Sequence, residues 1–143
     1  MDTKGFIYAA TMTNRLAEDI SEEQWDSKLI AELGTLRKLF IHMVRIRDIY
    51  RDGLHTGIIT FPGELISNES NLIAELKRSR DDLAYKFLHT EVEKIEMGSE
   101  NLSIEELLNA AVHHEGIHQG QYFVALKQAG IQIPKQWEDD WNM

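Results

Sequence analysis

Six dispersed histidines, His42, His55, His89, His113, His114 and His118, hold most of the chemical potential of this 143-residue chain. His114 and His118 are four residues apart. In a helix that spacing sets them about 40° apart around the axis, so both imidazoles look the same way and can share one ion. The face they share also carries Leu107, Ala111, Gln121 and Ala125, and it is expected to look inward. His42 falls between Leu39 and Ile46, on the inward side of another apolar-periodic stretch. If those two helices face one another, three imidazoles converge in an apolar interior. Three histidines plus an open position make the ligand set of a catalytic, not a structural, zinc-type site. Imidazole-rich ligation equally suits nickel, copper or iron.

Two other readings of the same residues stand beside this one. The histidines could be hydrogen-bonded core residues, although burying each without a partner costs about 1–3 kcal/mol. The run His114-Glu115-Gly116-Ile117-His118 also spells the HExxH letters of a zinc protease, with Glu115 as the would-be general base. A small helical domain lacks the substrate cleft such a protease needs. Gln121, one turn from His118, and Glu115 are candidates to support the ligands, Glu115 the weaker because it lies about 100° from His114. His113 is expected on the flank or surface and His55 at a loop entrance. His89 lies off the apolar stripe and receives no role.

The elements that must position these residues read as helices. Phe6, Ala9, Ala10, Leu16, Ala17 and Ile20 recur at helical spacing and place a first helix over residues 5–18. Ser21-Glu22-Glu23-Gln24 has the form of a capping box. Leu29, Ile30, Leu33, Leu36, Phe40, Met43, Ile46 and Ile49 then keep three- and four-residue steps, so a second helix is expected from there to Arg51, with Gly53 as its stop. Residues 54–70 keep no helical period and form a long loop, of the kind that usually has a job. A third helix is expected from Ser70-Asn71 to Met97-Gly98. The fourth opens on the capping box Ser103-Ile104-Glu105-Glu106 and closes at Gly130, with Pro134 beyond. Its apolar side is read as Leu107, Leu108, Ala111, Ile117, Ala125, Leu126 and Ala129, and Trp137 and Trp141 in the tail are expected to pack on the bundle.

The expected fold is therefore all-α, a single four-helix bundle domain over residues 1–143. A second helix of about 24 residues is ~36 Å long, and the loop after it can span about 56 Å. That reach allows the second and third helices to lie parallel, in an up-down-down-up order with a long crossover.

Composition narrows the function. Fifteen basic against 24 acidic residues give a net charge of −9, which repels nucleic acid and anionic membrane. The absence of cysteine excludes disulfides, Cys-ligated metals and Cys nucleophiles. No apolar run has the length of a membrane span and no signal peptide is read at the N-terminus, so the expected address is the cytoplasm. No Gly-rich phosphate cradle or GxSxG elbow is present.

His42 in mid-helix, together with His114-Glu115-Gly116-Ile117-His118-Gln119-Gly120-Gln121 and the later Gly130 and Pro134, resembles the DinB/YfiT-like superfamily. The pattern of that family's last helix is H-x-x-x-H-R-G-Q, and the arginine is Gln119 here. The resemblance implies an up-down-down-up bundle, often dimeric, with one divalent ion, commonly nickel or zinc, on His42, His114 and His118. It also implies kinship with transferases and an isomerase that use low-molecular-weight thiols. The expected function is a metal-dependent enzyme acting on a small electrophilic substrate, with the 54–70 loop as a gate. The alternative is a non-catalytic metal-binding or stress-related homodimer that makes contact through Ile58-Ile59-Thr60-Phe61.

Overall fold

The computed structural model describes residues 1–142. The first helix, α1 (Lys4–Asp19), buries Phe6, Ala9, Ala10, Leu16 and Ala17, the face its spacing marks. The chain then departs from expectation. Residues 22–24 make only one 3₁₀ turn, and α2 begins at Leu36 and runs to Thr56. Trp25 is the physical reason. It is buried with its ring edge-on to Phe40 at 5.0 Å, and its indole N–H donates to the Ile20 carbonyl at 3.0 Å, which folds the chain back after one turn. Gly34, with φ of 81°, then re-aims the chain, and the Thr35 hydroxyl caps α2 by accepting from the Lys38 amide. Leu29 and Leu33 keep helical spacing yet pack on the core from irregular backbone.

The second helix also ends later than expected. Gly57 is the left-handed C-cap, while Gly53 lies inside the helix, where an added Cβ would come within 2.5 Å of the Ile59 side chain. That close approach lets β1 (Ile58–Ile59) fold down on α2. The third helix, α3 (Leu72–His89), is capped by the Asn71 side chain and stops at Thr90, well short of the expected Met97-Gly98. Residues 94–103 form a hairpin instead. β2 (Lys94–Met97) pairs antiparallel with β3 (Glu100–Ser103) through Gly98-Ser99. Gly98, at φ 61°, supplies the first central position of a type II′ turn. β1 joins the other edge of β2 in parallel, giving a three-stranded sheet of order β1-β2-β3. The fourth helix, α4 (Ile104–Ala129), has both bonds of its capping box and ends at Gly130. Past Pro134, a short α5 (Lys135–Trp141) buries Trp137. The architecture is thus mostly helical, with five α-helices and a small sheet among the described residues in place of helices alone.

Contacts between α2 and α3 and the residues flanking them advance together along both helices. Arg37 donates to the Asn68 carbonyl, Arg47 to Ser79 and Thr90 to the Leu54 carbonyl, so the two helices run in the same direction. The core has two apolar clusters. One gathers around Trp25, Phe40, Tyr122 and Trp137, the other around Phe6, Phe87, Ile95 and Leu107. A polar layer from four helices lies between them, made of Thr13, Asn14, Arg47, Ser79, Glu115 and Gln119, all buried. No helix among the described residues is long and apolar enough to cross a membrane.

Candidate metal centre

The seam between α2 and α4 carries the histidines. His42 projects from α2 and His114 and His118 from successive turns of α4, each half-buried at the edge of the packed face. Nε2 of His114 lies 3.0 Å from Nε2 of His42 and 3.1 Å from Nε2 of His118. Two nitrogens held by one ion at about 2.0–2.1 Å stand about 2.8–3.4 Å apart when their angle at the ion is between roughly 90° and 110°. The separations fit a shared ion. Among the described residues the three Nε2 atoms have only one another as hydrogen-bond partners, with no carbonyl turned toward them.

Protonation favours the same arrangement. Burial lowers the pKa of His114 to about 3, and the neighbouring His118, His42 and Arg47 add to that. His42 is lowered as well, first by burial and then by His118 and Arg45. Both rings are therefore neutral at pH 7 and keep a lone pair to offer. At His118, Nδ1 donates to Oε1 of Gln121 at 2.9 Å. A carbonyl oxygen only accepts, so the proton of a neutral His118 sits on Nδ1 and Nε2 is free as a ligand atom. A cavity of about 310 Å³ opens beside His42 and His118, walled by Glu32, Leu33, Lys38, Leu39, Gln121 and Tyr122.

Glu115 does not join this cluster. Its carboxylate accepts from Arg47 through both oxygens, at 2.7 and 3.1 Å, and from the Thr13 hydroxyl at 2.5 Å. With its side chain 1% exposed and a guanidinium fixed on it, it can be neither the general base of an HExxH protease nor a support for the ligands. Arg47 is saturated in turn. Its remaining N–H groups reach Asn14, Ser79 and the carbonyls of Leu76 and Ala10. Gln119 donates to the Ala9 carbonyl and to Thr13.

The buried face of α4 therefore runs through Leu107, Ala111, Glu115, Gln119, Tyr122, Ala125 and Leu126. Gln121 is exposed and Ile117 is 45% exposed, so the expected inward face was rotated toward the histidine edge. The polar layer escaped the sequence reading. Its one signal was Arg47, a charged residue among the apolar positions Met43, Ile46 and Tyr50 of the inward stripe. The other histidines stay apart from the site. His55 pairs with Lys86 at 3.3 Å, His89 stacks on Tyr85 and donates to its carbonyl, and His113 is exposed.

The family model described as the DinB family matches residues 6–138. Among solved structures, the crystal structure of a DinB-like protein, YjoA, from Bacillus subtilis superposes with a TM-score of 0.70. It is 21% identical, and the match covers 91% of this chain and 92% of that one. No curated protein matches the chain in sequence.

Proposed function

Because the chain belongs to the DinB family, we propose that it is a metal-dependent enzyme in which His42, His114 and His118 hold one divalent ion, nickel or zinc. The observation that carries this reading is the convergence of three Nε2 atoms beside an open cavity, with burial keeping the rings of His42 and His114 neutral. The chemistry such an ion supplies is Lewis acidity, which activates a thiol or a water as a nucleophile. The chain's own residues do the rest. Gln121 fixes the His118 tautomer, Leu39 and Tyr122 give the cavity its apolar wall, and Lys38 and Glu32 place one charge of each sign at its mouth. The substrate class is a small electrophile, with a low-molecular-weight thiol as co-substrate. In the same reading the four long helices form an up-down-down-up bundle, which the shared direction of α2 and α3 supports.

A second reading is a non-catalytic, metal-holding homodimer. Ile58 and Phe61, each 52% exposed, favour it as an apolar contact.

Elemental analysis of tag-free protein, followed by a panel of thiols and electrophiles, tests both. Stoichiometric metal with thiol transfer supports the enzyme, and metal without turnover across the panel supports the binding protein. Absence of any transition metal after reconstitution removes both readings. Replacing His118 by Ala should abolish stoichiometric loading while His89→Ala leaves it intact, and equal losses would refute the ligand assignment.

A further inference from the structure

The segment after β1 returns along α2 and borders a second cavity, of about 360 Å³, with no histidine in its lining. Arg45 lies in its wall, and the Nε atom of Arg45 is buried with no hydrogen-bond partner among the described residues. Every other arginine of the chain forms a salt bridge. Arg51, in the same wall, and Arg78 are already satisfied. Arg51 engages Asp48 and Asp52, and Arg78 engages Asp48 again. Gly63 explains how the Arg45 stem comes to be covered. At φ 68° it sits so closely on α2 that an added Cβ would fall 2.6 Å from Ile49 and 3.7 Å from Cγ of Arg45. A buried Nε–H without an acceptor is costly, and in a chain with net charge −9 acceptors are not scarce. The opening is apolar on one side, where Ile58 and Leu65 are 52% and 69% exposed.

We propose that this cavity is a binding site for a small organic acid, with Arg45 as the anchor for its carboxylate and the apolar wall as the seat of its hydrocarbon body. The wall chemistry selects that class. Asp48, Asp52 and Glu64 also line the cavity, and they oppose a dianion such as phosphate more than a single carboxylate. Ile49, Ile58, Leu65 and Ile66 offer a bare inorganic anion nothing, but they suit a chain of several carbons. The fork of the guanidinium matches a carboxylate. The site does not depend on the reading of the histidines.

The test follows the Arg45 Nε–H resonance by NMR in the full-length chain, its assignment fixed by its loss in Arg45→Lys. Hexanoate, hexanamide and inorganic phosphate are the probes. Hexanoate should produce a saturable shift of that resonance, hexanamide none, and phosphate at most a weak one. Arg45→Gln should weaken hexanoate binding about 10–100-fold, the loss expected of a charge-assisted hydrogen bond. The site is refuted if hexanoate and hexanamide behave alike, if the resonance does not respond because Glu64 already occupies the guanidinium in solution, or if Arg45→Gln binds hexanoate as well as the parent. Should Arg45→Gln fail to fold, the titration of the unaltered chain still decides.

Discussion

Two polar clusters share two successive turns of α4 and are built on opposite terms. The Arg47–Glu115 layer is closed. Each guanidinium N–H has an acceptor, the carboxylate has three donors, and the partners come from all four long helices. The histidine cluster is open, with three nitrogens that meet only one another at the side of a cavity. Adjacent residues, His114 and Glu115, serve the two clusters because about 100° of helical rotation turns one to the seam and the other to the core. A group that must meet something from outside keeps unspent hydrogen-bonding capacity. A group that must hold the fold together spends all of it.

The closed cluster should respond most strongly to a single cut. Arg47→Met keeps the volume and leaves Glu115 with Thr13 alone, a change that costs about 3–5 kcal/mol for a buried pair. Urea unfolding should show that loss. The double variant Arg47→Met/Glu115→Leu should recover most of it, because the uncompensated charge is then gone. A double variant as unstable as the single one would mean that the layer acts through Thr13, Asn14 and Gln119 and not through the ion pair. Neither change removes a histidine, so metal content per folded molecule should be unaltered.

The open cluster should respond to what is added. At an ion concentration about 100 times its Kd, binding to the folded state alone contributes about 2.7 kcal/mol. Thermal unfolding with and without a chelator should differ by that order, and the difference should vanish in His114→Ala. A chelator effect that persists in that variant would place the ion elsewhere.

The two clusters were unequally legible in the amino-acid sequence. The histidines could be read because an i,i+4 pair and one inward residue on a second helix need only helical periodicity to converge. The boundaries of α4 could be read from Ser103, Glu106 and Gly130, since capping is local chemistry. The layer needed tertiary knowledge. Arg47 and Glu115 are 68 residues apart, and nothing local says that they meet. The two largest boundary displacements, the start of α2 and the end of α3, have the same cause. Leu29 and Leu33 fit a helical period but are held by Trp25 and Gly34, and Val92 and Ile95 continue the period of α3 although α3 stops at His89 and Ile95 lies in the hairpin that Gly98 turns. Apolar spacing reports which residues face the core and is silent on which backbone carries them there.

The finest distinction between the clusters rests on Gln121, which belongs to the open one yet touches no other cluster residue than His118. If its carbonyl oxygen holds the proton on Nδ1, then Gln121→Ala frees the ring to place that proton on Nε2, the atom turned toward His114. Such supporting residues typically change metal affinity about 10–100-fold. The side chain is exposed, so removing it should leave urea unfolding of the metal-free chain unchanged. Gln121→Glu keeps an acceptor at the same position and should retain the affinity. Competition with a chelator of known affinity measures all three proteins. If Gln121→Ala binds the ion as the parent does, the tautomer is set by the ring's surroundings alone, and the open cluster is as self-sufficient as the closed one.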